Sequence, residues 1–184
     1  MIMAMVIHAA LLAAGILASC GTPLSDAPGA SEEIPGTVAA EVRVEALELA
    51  RSKEGAPYEW AADGPDAFDC SGLIVWAYQE ALGESSIFRG PDGRQDDITM
   101  DGLHRHGTEE IAPEELQPGD IVFITSEPDE MTHGGVFIQW ISDLELEFIN
   151  ASSYHDAVVI DTWPVGSTKR GQWFAGAGRV RVPE

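Results

Sequence analysis

Apolar residues follow different rhythms along this chain. Residues 2–18 are almost continuously apolar, with His8 as the one polar interruption. That run is shorter than the roughly 20 residues a membrane-spanning helix needs, and it has the length of a signal-peptide core. Residues 21–36 lose periodicity and are rich in Pro, Gly, Ser and Ala, as a flexible tether is. From Thr37 to Lys53, the residues Val38, Val42, Ala46, Leu49 and Ala50 recur at helical spacing and share one face, and Gly55 supplies a stop. A second helix is expected over Cys70–Leu82, with Asp69 as N-cap and Gly83 as stop. Leu73, Ile74, Trp76, Ala77 and Leu82 make it apolar over much of its surface, which suits a buried central helix.

Residues 84–112 are weakly periodic and rich in turn formers, so they read as an ordered loop with one helical turn near Asp97–Leu103. The period then changes to two. Asp120–Thr125, His133–Trp140, Leu144–Asn150, Ala157–Asp161 and Gly171–Val182 are short segments holding Val, Ile, Phe and Trp between turns. Too few residues separate them for crossover helices, so the expected sheet has about five strands and is mostly antiparallel. Helices first and strands after give an α+β domain over 37–184.

Charge removes several functions. Asp+Glu is 31 against Lys+Arg 10, a formal net charge of −21. Binding nucleic acid or anionic lipid by charge needs a basic face, so no nucleic-acid partner is expected. The 45% hydrophobic content rules out a disordered acidic tail.

The chain has two cysteines, in different settings. Leu17-Ala18-Ser19-Cys20-Gly21 resembles the lipobox of bacterial lipoproteins. The resemblance implies a lipoprotein signal peptide over 1–19, lipid on Cys20 and a tether over 20–36. Membrane contact would then be through the lipid alone, on the periplasmic or exterior side of the envelope. An uncleaved anchor and ordinary secretion stay open as alternatives. With Cys20 lipidated, Cys70 is the remaining thiol.

Cys70 stands at the expected start of a helix, where backbone N–H groups and the helix dipole favour a thiolate and offer donors to an oxyanion. A nucleophilic Cys needs a base and a group to orient that base. His133 opens a strand just before Gly134-Gly135, which permit a bulge, and Asn150 ends the next strand. By period two, Asn150 shares a face with Leu144, Leu146 and Phe148, the face expected to meet the central helix. A buried core Cys is the competing reading.

Motifs now add to this pattern. Gly55-Ala56-Pro57-Tyr58-Glu59-Trp60, then Asp69-Cys70-Ser71-Gly72 and a hydrophobic helix, resemble the first motif of the NlpC-type cell-wall peptidases, a papain-like family. Leu116-Gln117-Pro118-Gly119-Asp120, His133-Gly134-Gly135, Phe148-Ile149-Asn150-Ala151 and Phe174-Ala175-Gly176-Ala177-Gly178-Arg179 follow in the family's order. The resemblance covers about Val38 to Val182. It implies a papain-like fold and hydrolysis of a peptide bond in peptidoglycan stem peptides, often between γ-D-glutamate and a diamino acid. Cys70, His133 and Asn150 would be catalytic, and no cofactor or metal is implied. Tyr58 would serve the oxyanion or substrate, and Asp69 and Ser71 would line the pocket for the substrate's amine and carboxylate. The partners implied are stem peptides or muropeptide fragments, met by a monomer. Two departures stand out: Ala61-Ala62 replaces Gly-Gly, and Asn150 stands where the family often has His.

Other residues read more plainly. Trp60 and Trp76 are assigned to the core, Glu59 to solvent, and His104, His106 and His155 to solvated loops, with no metal-site spacing. His155 and Asp156 compete with Asn150 as the third residue. An amidase or acyltransferase with the same thiol–imidazole machinery, and a non-catalytic wall-peptide binder, are the alternative functions.

Overall fold

The computed structural model describes residues 33–90 and 92–182. Cys20, the signal-like segment and most of the tether lie outside the described residues. Helix α1 spans Ala40–Arg51, with Glu41 in its first turn and Arg51 in its last, each favourable to the helix dipole. Ala46, Leu47 and Ala50 on its inner face are buried, and so is Arg43.

Helix α2 spans Cys70–Leu82 as expected. Asp69 caps its start, and Gly83, at φ 65°, ends it in the left-handed conformation that glycine adopts without strain. Leu73, Ile74, Val75, Ala77 and Tyr78 are buried, so the helix is central.

Residues 84–112 are more regular than a loop. Strands β1 (Phe88–Gly90) and β2 (Gly93–Gln95) pair as a hairpin. A short helix α3 (Met100–Gly102), capped by Thr99, runs into a π-helical turn at Leu103–Gly107. Strand β3 (Thr108–Ile111) follows.

The main sheet adds β4 (Ile121–Thr125), β5 (His133–Ser142), β6 (Glu145–Ser152), β7 (Ala157–Pro164), β8 (Thr168–Lys169) and β9 (Gln172–Val180). Its order is β3-β9-β4-β5-β6-β7, with β8 paired to β9, and each pairing is antiparallel. The α+β, mostly antiparallel reading therefore holds, with seven strands rather than five.

One expectation about this sheet fails. Leu146, Phe148 and Asn150 do share a face, and Trp163 pairs with Leu146 on β7. That face builds a second core with Val122, Ile124, Phe137 and Trp163, whereas α2 packs with Val136, Ile149, Ala151 and Val158 on the opposite face. Both faces are covered, so alternation alone could not say which one meets the helix. Nor does Gly134-Gly135 form a bulge: the register of β4 against β5 is regular there, and the shifts fall after Phe137. A Cβ on Gly134 would overlap the Val122 carbonyl, and one on Gly135 the Ile149 carbonyl. The pair is there for close approach of strands.

A buried ion cluster ties helix and sheet together. Asp120 is 0% exposed. It accepts hydrogen bonds from Arg179 Nε (2.9 Å) and Nη2 (2.8 Å), with Arg43 Nε 3.5 Å away. Gly119, at φ 96°, lies so close to the Arg43 carbonyl that a Cβ would overlap it. Tyr78 donates its hydroxyl to the Gly119 carbonyl at 2.7 Å. The Pro-Gly-Asp motif and the late arginine thus serve the frame.

Candidate active site

The start of α2 is clamped by its own cap. Asp69 Oδ1 accepts from the Gly72 N–H (2.7 Å) and the Ser71 hydroxyl (3.0 Å), and Oδ2 accepts from the Ala61 N–H (3.1 Å). The Asp69 N–H donates to the Ala62 carbonyl at 2.8 Å, holding the preceding loop against the helix. Ser71 is buried beneath the cap. Tyr58 arrives because residues 55–58 run along β7: Gly55 N–H donates to Val158 O and Val158 N–H to Ala56 O, both at 2.8 Å.

The sheet supplies the other half. His133 opens β5 and Asn150 lies on β6 opposite Gly135, whose missing side chain leaves room for it. His133 Nε2 is 3.1 Å from Asn150 Oδ1. Asn150 Nδ2 donates to the Val159 carbonyl at 3.3 Å, which aims its oxygen at the ring. Nε2 therefore carries the proton, and Nδ1 keeps the lone pair a base requires.

Cys70, His133, Asn150 and Tyr58 all line one cleft of about 140 Å³. The sulfur itself is not a ready thiolate. Burial pushes the Cys70 thiol up to about 12 and the Asp69 carboxylate adds to this, against the pull of the Ser71 and Cys70 N–H groups. The dipole argument from sequence loses to desolvation. Burial lowers His133, with the Asn150 hydrogen bond and the Asp161 charge opposing and Arg170 assisting. Both shifts favour the uncharged forms, thiol and imidazole. Burial, then Cys70 and Asp69, raises Tyr58, keeping its phenol a donor.

Asp69 and Ser71 are brought beside Cys70, where their polar atoms are engaged in the cap. His155 and Asp156 are exposed, and it is Asn150 that meets the His133 ring. Trp60 is a correction: it is 85% exposed on the cleft rim, because its loop turns outward after Tyr58. Trp76 stays core-side, edge-on to Phe68 at 5.5 Å. His104 packs edge-on against Phe123 at 5.0 Å. Among the described residues no group of three or more His, Cys, Asp or Glu is placed to hold a metal.

Several cleft residues had not been singled out from sequence: Ser152, Tyr154, Asp161, Trp163, Arg170 and Gln172. Asp161 and Trp163 could have been found by continuing the period-two count from Asn150 onto its partner strand β7.

A thiol at a helix N-terminus that shares a cleft with an imidazole oriented by an amide from an antiparallel sheet is the arrangement of the papain-like class. The chain belongs to the NlpC/P60 family, whose model matches residues 55–173. A probable endopeptidase of Corynebacterium glutamicum (strain R) is 38% identical over 112 residues, which are 61% of this chain and 45% of that protein. The solved structure of NlpC2 from Trichomonas vaginalis superposes with a TM-score of 0.55 and 27% identity, over 79% of this chain and 48% of that one. An NLP/P60 family protein described as similar to lipoprotein, from Staphylococcus aureus subsp. aureus Mu50, gives a TM-score of 0.54 at 25% identity, over 82% and 45%. The chain spans less than half the length of each of these relatives.

Proposed function

We propose that this protein is a cysteine endopeptidase hydrolysing a peptide bond in peptidoglycan stem peptides. The observation that carries the reading is the 3.1 Å contact of His133 Nε2 with Asn150 Oδ1 in the cleft that also holds Cys70. It leaves His133 Nδ1 free to take the thiol proton.

In the first half-reaction His133 removes the proton as Cys70 Sγ attacks the scissile carbonyl carbon. The charge moves to the carbonyl oxygen, where the Cys70 N–H and the Tyr58 hydroxyl are the donors at hand. Collapse breaks the C–N bond, His133 protonates the leaving amine, and a thioester remains on Cys70. Water then attacks the thioester carbon, giving up a proton to His133. The second collapse releases a carboxylic acid and restores the thiol. Starting from neutral partners, proton transfer accompanies attack, so Cys70 needs no standing thiolate.

The resemblance and the name of the C. glutamicum relative support an endopeptidase over an amidase. The bond we favour is γ-D-glutamyl to a diamino acid, as the family resemblance implies. We also place the protein at the cell envelope, anchored by lipid on Cys20, with a monomeric catalytic domain; intact mass of membrane-extracted protein would expose an unmodified Cys20. Digestion of purified muropeptides, with products identified by mass, tests the activity. Fragment pairs whose masses sum to substrate plus one water are expected, and intact muropeptides would overturn the reading.

A further inference from the structure

We propose that Arg170 is a specificity-determining residue of this cleft, binding a free carboxylate on the substrate residue whose amine leaves. The inference rests on the peptidase reading above.

The chain has only 10 Lys and Arg residues against 31 acids. Two of the ten, Lys169 and Arg170, stand side by side, and Arg170 lines the same cleft as Cys70 and His133. The backbone is bent to put it there. Arg170 has φ 55° and Gly171 φ 78° in the tight connection from β8 to β9, an uncommon conformation for a long side chain.

The guanidinium is held on three sides. Nη1 pairs with Asp161 Oδ2 at 2.7 Å, Nη2 contacts His155 Nε2 at 3.2 Å, and the group lies 4.0 Å over the Tyr154 ring. Lys169 Nζ takes the other Asp161 oxygen, Oδ1, at 2.9 Å. One carboxylate thus faces two permanent cations, Lys169 and Arg170. An arginine offers five N–H donors in a planar fork, and these contacts occupy two. The side chain remains 27% exposed. A positioned, partly desolvated and partly unused guanidinium suits a carboxylate, the anion that peptides carry.

The side of the scissile bond follows from the neighbours. Arg170 and its partner Asp161 stand on the sheet half of the cleft with His133, the group that protonates the leaving amine. Tyr58 enters the cleft from the loop that precedes Cys70 and its helix. Arg170 therefore belongs to the leaving-group end, and Tyr58 to the acyl end.

The test uses two synthetic stem peptides, identical except that the leaving residue carries a free carboxylate in one and a carboxamide in the other. Wild type is expected to favour the carboxylate by about 10–100-fold in kcat/KM, mainly through KM, the range that hydrogen bonds to charged groups give. Arg170→Met should erase the preference by losing only the carboxylate substrate. Arg170→Lys keeps a charge without the fork and should retain part of it, which also covers a Met variant that fails to fold. Equal wild-type rates on both peptides, or an equal loss on both in Arg170→Met, would overturn this inference and leave the peptidase intact. Cleavage of neither peptide by wild type would overturn the peptidase reading as well.

Discussion

His133 and Asn150 meet across two neighbouring strands, ring nitrogen Nε2 to amide oxygen Oδ1 at 3.1 Å, and the amide nitrogen is spent on the Val159 carbonyl. The amide cannot turn over without breaking that second bond, so the ring is held in one tautomer. Asn150 acts through His133 rather than on the substrate, which makes it a positioning residue.

Replacing Asn150 with Ala should therefore slow turnover without ending it. We expect a loss of about 10–10³-fold in kcat, the scale of positioning and acid–base effects. Cys70→Ala and His133→Ala should fall to background. Kinetics of the three variants on one muropeptide, with folding checked by circular dichroism, decide this. Full activity in Asn150→Ala together with a loss in His155→Ala would move the third role to His155.

The pH profile carries a second expectation. Catalysis in the free enzyme needs His133 neutral, and burial lowers its pKa below the ordinary 6.5. The acidic limb of kcat/KM should accordingly lie below pH 6.5. Because the thiol is pushed up to about 12, alkylation by iodoacetamide should climb steadily from pH 5 to 9. A fast plateau across that range would mean a pre-formed thiolate–imidazolium pair.

Acid should also weaken the fold through two groups of the cleft. His133 has a depressed folded pKa, so the unfolded chain takes its proton first, and this contribution to stability is intact above 6.5 and lost as pH falls below it. Burial would raise Asp161, but hydrogen bonds and charges from Lys169 and Arg170 hold it below 3.8. Its contribution is present above 3.8 and is lost as pH falls through the folded value. Urea midpoints at pH 7, 5 and 3 should decline in that order, and a rise toward pH 5 would contradict the assignment.

The Asp120 cluster predicts a stability effect far from the thiol. Asp120→Asn removes the charge that faces Arg179 and Arg43, both nearly inaccessible. Uncompensated buried charge costs about 3–5 kcal/mol. Denaturant unfolding measures it, and a loss under about 1 kcal/mol would mean that the cluster relaxes or takes up solvent.

Much of this could be read from sequence where the signal is local. The Asp69 cap, the Gly83 stop and the α2 apolar run are neighbours along the chain, and the structure bounds that helix as expected. What depends on distant partners was hidden. Strand β3 carries Thr108, Glu109, Glu110 and Ile111, a polar stretch that becomes a strand only by pairing with β9. Arg43 sits on an otherwise apolar helix face because Asp120, far along the chain, meets it there. Alternation put Leu146, Phe148 and Asn150 on one face but carried no sign, since a second core covers that side. Arg170 was invisible because its place depends on a two-residue turn and on Asp161 across the sheet.

The most direct test of the mechanism is the mass of the intact protein, acid-quenched during turnover of a muropeptide. The mechanism predicts a transient adduct with the mass of the acyl half of the substrate, mapping to the peptide that contains Cys70 and absent from Cys70→Ala. Turnover that persists in Cys70→Ala, or an adduct on any other residue, would contradict it.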